Sequence, residues 1–253
     1  MRILAAILLL QWFSSLVAAE NPRPTVPVLV ELFTSEGCSS CPPADTMLGL
    51  LDTQPIPGVQ LIVLSEHVDY WNHDGWEDPY SSQFFSQRQN NYVQRVGGTA
   101  YTPQMIIDGT REFVGSDGKE VEKAVEKSRS DEKLPVNLSN ITLTNGTLHS
   151  RIEIGTLPET FHTRSADVYV AIALNHAESQ VLKGENKGRR LQHVAVVQKL
   201  TKIGSVSKSK NFTQDAAFKL EQNTDPANLR IVLFAQDSSS GKVLGATLQQ
   251  IKP

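Results

Sequence analysis

The stretch that decides the fold is Val28-Leu-Val-Glu-Leu-Phe-Thr-Ser-Glu-Gly-Cys-Ser-Ser-Cys-Pro-Pro43. Residues 28–34 are β-branched and apolar around one embedded carboxylate, Glu31, a pattern that predicts a strand buried on both faces. The run breaks at Gly37 and enters Cys38-Ser39-Ser40-Cys41, which holds the only two cysteines of the chain. Pro42 and Pro43 suit a first helical turn, where a missing N–H is no loss, and residues 44–51 continue with helical apolar spacing. Cys38 is thereby expected at a helix N-terminus. Unpaired N–H groups and the positive end of the dipole favour a thiolate there.

This position makes Cys38 the expected nucleophile, exposed and acidic for a thiol, and Cys41 the buried resolving thiol that closes the disulfide. Glu31, set in an apolar strand beneath the helix start, is expected to stay protonated because desolvation disfavours its charge, and to store a proton for Cys41. Two other readings stand beside redox chemistry. A purely structural disulfide would close a loop of four residues, worth roughly 2 kcal/mol in the chain-entropy model and less than a longer loop gives. A metal site would have one Cys-x-x-Cys pair and lack two of the usual four ligands.

Working outward, Val59-Gln-Leu-Ile-Val-Leu64 predicts a second strand, parallel to the first and joined by a right-handed crossover. The segment after Leu64 should then approach the cysteines at the edge where open α/β sheets place their sites. That segment carries His67, Trp71, Trp76 and Asp78. It reads either as a loop packing its aromatics over the sheet end, with Asp78 capping the next helix, or as the wall of a substrate groove. In the second case His67 serves as a proton shuttle or third metal ligand. Residues 81–96 have the spacing of an amphipathic helix, Asp108-Gly109 marks a hairpin, and 119–129 predict another helix. The order from 26 to 131 is strand, helix, strand, helix, strand, strand, helix.

Three motifs carry a family resemblance: Val30 to Pro43, His67-Val-Asp-Tyr-Trp71 and Tyr101-Thr-Pro-Gln104, with Gly184-Glu-Asn-Lys-Gly-Arg-Arg-Leu191 extending it into the second half. Together they resemble the uncharacterised DUF1223 family of secreted bacterial proteins, whose N-terminal half is similar to thioredoxin. The resemblance implies a fold and a compartment but no substrate. It further implies a cis-proline at Thr102-Pro103, opposite the cysteine pair, where backbone would pair with an extended substrate. The spacing from Glu31 to Cys38 differs by one residue from that usual in thioredoxins.

Beyond Leu134 the texture turns to alternation and turns. Strands are expected over 136–143, 147–154, 168–174, 191–197, 229–235 and 243–248, with an Asn145-Gly146 hairpin, which suggests an antiparallel sandwich. Gly184-Glu-Asn-Lys-Gly188 reads as a polar turn, either a plain loop or one whose two glycines bring backbone near a ligand. The expected fold class is thus an α/β thioredoxin-like domain (βαβαββα, 25–131) followed by an all-β, sandwich-like C-terminal domain (135–253). Residues 1–19 have the charged start, apolar middle and small-residue exit of a secretory signal peptide cleaved after Ala19. Export would let the cysteines pair as a disulfide.

At 253 residues and 40% hydrophobic content the chain can bury two modest cores. With 24 basic and 27 acidic residues its net charge of −3 leaves no electrostatic footprint for nucleic acid or an anionic membrane. The expected function is a periplasmic or secreted thiol-disulfide oxidoreductase without a cofactor. Cys38 attacks, Cys41 resolves, Glu31 or His67 handles the proton, and Thr102 and Pro103, flanked by Trp71 and Trp76, hold substrate. Its partners would be protein thiols or disulfides and an external molecule that recharges the pair, since no third cysteine can relay electrons. The alternatives are a copper chaperone using Cys38, Cys41 and His67, soft ligands suited to Cu(I), and a non-catalytic binding module whose cysteines form a plain disulfide.

Overall fold

The computed structural model describes residues 25–221 and 224–251, so the expected signal segment lies outside the described residues. The first half follows the expected order: β1 (Val26–Thr34), α1 (Pro42–Thr53), β2 (Val59–His67), α2 (Gln83–Val96), β3 (Gln104–Ile107), β4 (Arg111–Val114) and α3 (Gly118–Arg129). β1 and β2 are parallel from Val26↔Val59 to Thr34↔His67, and β1 pairs antiparallel with β3 on its other side. The Ser82 hydroxyl, not Asp78 as expected, caps α2 by accepting from the Phe84 N–H.

The second half is β5 (Val136–Thr144), β6 (Thr147–Ile154), β7 (Ser165–Gln180), β8 (Arg190–Ser207), β9 (Phe212–Lys219), β10 (Leu229–Asp237) and β11 (Val243–Gln250). The strands form an eight-stranded sheet, ordered β11-β10-β7-β8-β2-β1-β3-β4, and a three-stranded sheet, β5-β6-β9. The large sheet therefore runs through both halves of the chain. Its seam is the parallel contact Ser65↔Val196 between β2 and β8, which closes an edge that β2 would otherwise leave unpaired. Stacking of the smaller sheet on the larger buries Leu148 and Ile152 of β6 and Phe218 of β9 with Val168, Ile231 and Leu233 of β7 and β10.

Strand alternation sorts β1 between two cores. Val28, Val30 and Leu32 pack with Ala44 and Leu48 of α1 and Val121 and Val125 of α3. Leu29 points the other way, into a core with Phe85 of α2 and Val232 and Phe234 of β10, and Phe33 joins Tyr92 of α2. Glu31 shares the parity of Leu29 and Phe33. It therefore faces α2, on the side of the sheet opposite α1, and the expected position beneath the cysteine helix is corrected. Its carboxyl group meets Arg88 Nε at 2.7 Å and the Tyr92 hydroxyl, so it is paired within a buried cluster.

Candidate functional site

Cys38 and Cys41 are joined in a disulfide with Cα atoms 5.4 Å apart, in the turn between β1 and α1. Cys38 N–H donates to Ser35 O at 3.2 Å and Cys41 N–H to Cys38 O at 3.2 Å. The N-cap of α1 is Cys41, whose carbonyl accepts from Ala44 at 2.8 Å and Asp45 at 3.1 Å. Cys38 thus lies three residues ahead of the cap, not at the helix start. Pro42 and Pro43 occupy N1 and N2 and have no N–H to offer a thiolate. The expected contrast between an exposed Cys38 and a buried Cys41 is also corrected, since both have 0% exposure. A segment of the second half lies across the turn: Asn186 Nδ2 donates to Glu36 O at 2.8 Å and to Cys38 O at 2.9 Å.

The Thr102–Pro103 peptide is cis. Its loop lies against the first turn of α1, because a Cβ built on Gly115 would come within 3.0 Å of Ala44 Cβ and 3.4 Å of Pro103 Cβ. Trp71 joins this loop to the cysteine turn. Its indole N–H donates to Thr102 Oγ1 at 2.7 Å, while its own Cβ and carbonyl oxygen would lie 3.0 and 3.2 Å from a Cβ on Gly37. A Cβ at residue 37 would press on Trp71, so what favours glycine next to Cys38 is close approach. Trp76 donates from Nε1 to Glu36 Oε2 at 2.8 Å. The segment after β2 thus comes to the sheet edge that holds the disulfide.

Behind the turn lies a buried polar cluster. His67 Nδ1 is 2.7 Å from Asp78 Oδ2, and the same oxygen accepts from the Glu36 N–H at 2.9 Å. Burial would raise the Asp78 carboxyl, but the His67 imidazole and the N–H groups of Glu36 and Tyr80 outweigh it and hold it below its ordinary value. The His67 ring meets His193 of β8 edge to face, centroids 4.7 Å apart, and Tyr80 stands 5.5 Å from the first and 6.0 Å from the second. His193 Nε2 is 3.2 Å from Glu36 Oε1 and its Nδ1 is 3.6 Å from Asp45 Oδ1. It therefore bridges a carboxylate two residues before Cys38 and one four residues after Cys41. Burial pulls the imidazole down, yet Asp45 and Glu36 more than offset this and push it up to about 10. His193 and Asp45 also line a cavity of about 460 Å³ between α1 and the β7–β8 hairpin.

A raised imidazole value fixes the sign of a linkage. His193 stabilises the fold fully below about pH 6.5, and that contribution is lost as pH rises towards about 10. Urea melts should therefore show stability falling across this window, with a slope approaching about 1.4 kcal/mol per pH unit for one proton. His193→Gln should flatten the slope. An unchanged slope in the variant would remove His193 from the cluster's charge balance.

The geometry brings together Cys38, Cys41, Trp71, Trp76, Thr102, Pro103 and, through Glu36, His67. It leaves Glu31 on the other face. Glu36, Asp45, His193 and Asn186 join the site without having been singled out in the sequence. His193 had a signal in parity, since Leu191, His193 and Ala195 share one buried side of β8. Among the described residues no group of three or more His, Cys, Asp or Glu side chains is arranged to hold a metal ion, and the sulfurs expected to join His67 around copper are bonded to each other.

The profile of a family described as "protein of unknown function (DUF1223)" matches residues 29–236. The crystal structure of protein AGR_C_4864 from Agrobacterium tumefaciens is similar over 90% of this chain and 96% of that one, at 24% identity and a TM-score of 0.69. The solved structure of HBP35 of Porphyromonas gingivalis is similar over 91% of this chain and 77% of that one, at 14% identity and a TM-score of 0.67. Both likenesses are of fold. No curated protein matches the chain.

Proposed function

We propose, for a chain that belongs to the DUF1223 family, that it is an exported thiol-disulfide oxidoreductase built on a thioredoxin-like first half. The observation that supports the reading is the approach of the Cys38–Cys41 disulfide, the start of α1 and the Thr102 loop, tied in by Trp71, at one sheet edge. The β1 to α3 order supports the thioredoxin-like assignment. Export rests on the residue pattern of 1–19. Among the described residues no helix is long and apolar enough to cross a membrane.

In the oxidised protein a substrate thiolate attacks Cys38 Sγ. The Cys38–Cys41 bond breaks, and Cys41 leaves as a thiolate that takes up a proton. A second substrate thiol, losing its proton, attacks the mixed disulfide and expels Cys38. The substrate is oxidised by two electrons and the pair is reduced by two; the reverse sequence reduces a substrate disulfide. An external redox partner restores the starting state. For the proton we assign His67, whose Nε2 is buried without a hydrogen-bond partner while Asp78 holds Nδ1. Thr102 and Pro103 offer backbone to an extended protein substrate beside Trp71.

One observation favours a second reading, a plain structural disulfide: both sulfurs are wholly buried. A pH titration of the reduced protein by thiolate ultraviolet absorbance separates the two, because absorbance does not depend on access. The redox reading expects one thiol to titrate modestly below the free value of about 8.5. Two thiols titrating above it would leave the structural reading standing.

A further inference from the structure

Residues 181–189, between β7 and β8, belong to the second half of the chain yet are seated on the cysteine turn of the first. Asn186 is fully buried although the turn around it is polar and largely exposed. Both hydrogens of its amide go to the disulfide turn, one to Glu36 O and one to Cys38 O, while its Oδ1 accepts from Arg189 Nη1 at 2.9 Å. Beside it, Glu185 accepts from the Ser39 N–H at 3.1 Å. The segment is braced from within. Val181 is fully buried, its N–H donates to Arg189 O at 2.9 Å, and its carbonyl accepts from Gly188 N–H at 2.8 Å. Gly184 and Gly188 supply the positive φ values of 72° and 85° that the turn requires.

A thiolate must approach a disulfide sulfur along the S–S axis, and neither Cys38 nor Cys41 offers any surface for that approach. Ser39 and Ser40, between them, are exposed. Attack on the pair thus requires the turn and its cover to part first. The contact of residues 181–189 with the cysteine turn runs through hydrogen bonds of Asn186 and Glu185, while His193 of β8 holds Glu36 and Asp45 from the strand beside them. Such a contact can open locally while both cores stay intact.

We propose that residues 181–189 are a gate on the Cys38–Cys41 disulfide and that Asn186 is its latch. The gate regulates the site on which the oxidoreductase reading rests, and it is independent of which partner exchanges with the pair. Its opening equilibrium multiplies the rate of any attack on the disulfide. Loss of the two Asn186 donors therefore speeds attack by the worth of two hydrogen bonds, roughly ten- to a hundred-fold.

The test is reduction of the oxidised full-length chain by a water-soluble phosphine, followed by the appearance of thiols. The phosphine becomes its oxide with oxygen from water, and the disulfide takes two electrons and two protons to give two thiols. No protein substrate is involved, so failure of the gate and failure of the oxidoreductase reading are read separately. Asn186→Asp keeps the side-chain volume but presents oxygen to two carbonyls, and Asn186→Ala removes the contact. Both are expected to raise the reduction rate roughly ten- to a hundred-fold, and Glu185→Gln by less. In every variant the rate should respond to urea below the unfolding transition more weakly than global unfolding does. Variant rates equal to that of the unsubstituted chain would overturn the gate. So would an acceleration whose urea dependence matches that of global unfolding.

Discussion

Arg88→Ala is expected to destabilise the fold by about 3–5 kcal/mol, the cost of leaving buried charge without its partner. The guanidinium projects from α2 into the seam between the two halves. Nε lies 2.7 Å from Glu31 Oε1 and 3.4 Å from Glu66 Oε1, Nη2 donates to the Tyr92 hydroxyl at 2.8 Å, and Nη1 reaches Gln236 of β10 at 3.4 Å. Its carbon stands 5.0 to 5.5 Å from the ring centres of Tyr92, Tyr169 and Phe234, so the cation is also held over aromatic faces. Without it two carboxyl groups share an apolar core.

The two acids should respond differently. Burial first, and then the neighbouring Glu31 charge, pushes the Glu66 carboxyl well above its ordinary value, which favours its neutral form while Glu31 pairs with Arg88. Glu66→Gln puts a neutral amide where the neutral acid is favoured and should cost less than about 1 kcal/mol, whereas Glu31→Gln leaves Arg88 without its main partner. A raised folded value means that the unmodified protein loses stability as pH rises from about 4.5 through the value Glu66 has in the fold. Glu66→Gln should remove that loss. Urea melts of the three variants test the assignment, and a Glu66→Gln cost equal to that of Arg88→Ala would overturn it.

Much of the first half could be read directly from the chain because its signals are local. The apolar run 28–34, the two prolines after Cys41, the Asp108-Gly109 hairpin and the spacing of 81–96 each specify an element within a few residues. What could not be read depends on long-range pairing. A strand buried on both faces does not reveal which face receives which helix, so Glu31 was expected below the cysteines although its parity with Leu29 and Phe33 sends it to α2. β9 carries a weak signal, because half of Phe212–Lys219 is polar and only Ala216 and Phe218 are buried. The β2–β8 seam turns on a single residue pair 131 positions apart in the numbering of Ser65 and Val196. At the site, the Cys-x-x-Cys pair, Trp71 and Thr102-Pro103 were visible as motifs. Glu36 and His193 meet across 157 residues, and Asn186 sits in what looks like an ordinary polar turn.

The reduction potential of the Cys38–Cys41 pair tests the oxidoreductase account most directly. Pairs that exchange lie between about −270 and −120 mV, and structural disulfides of secreted proteins lie below about −300 mV. Because a tenfold change in the exchange equilibrium is only about 30 mV, the gap between these classes is large enough to decide. Equilibration of the full-length chain with thiol-disulfide buffers, with the reduced fraction read after quenching and long enough for the gate to open, gives the value. The account predicts a potential inside the exchange range. A value well below about −300 mV would contradict it and make the disulfide an inert brace between β1 and α1.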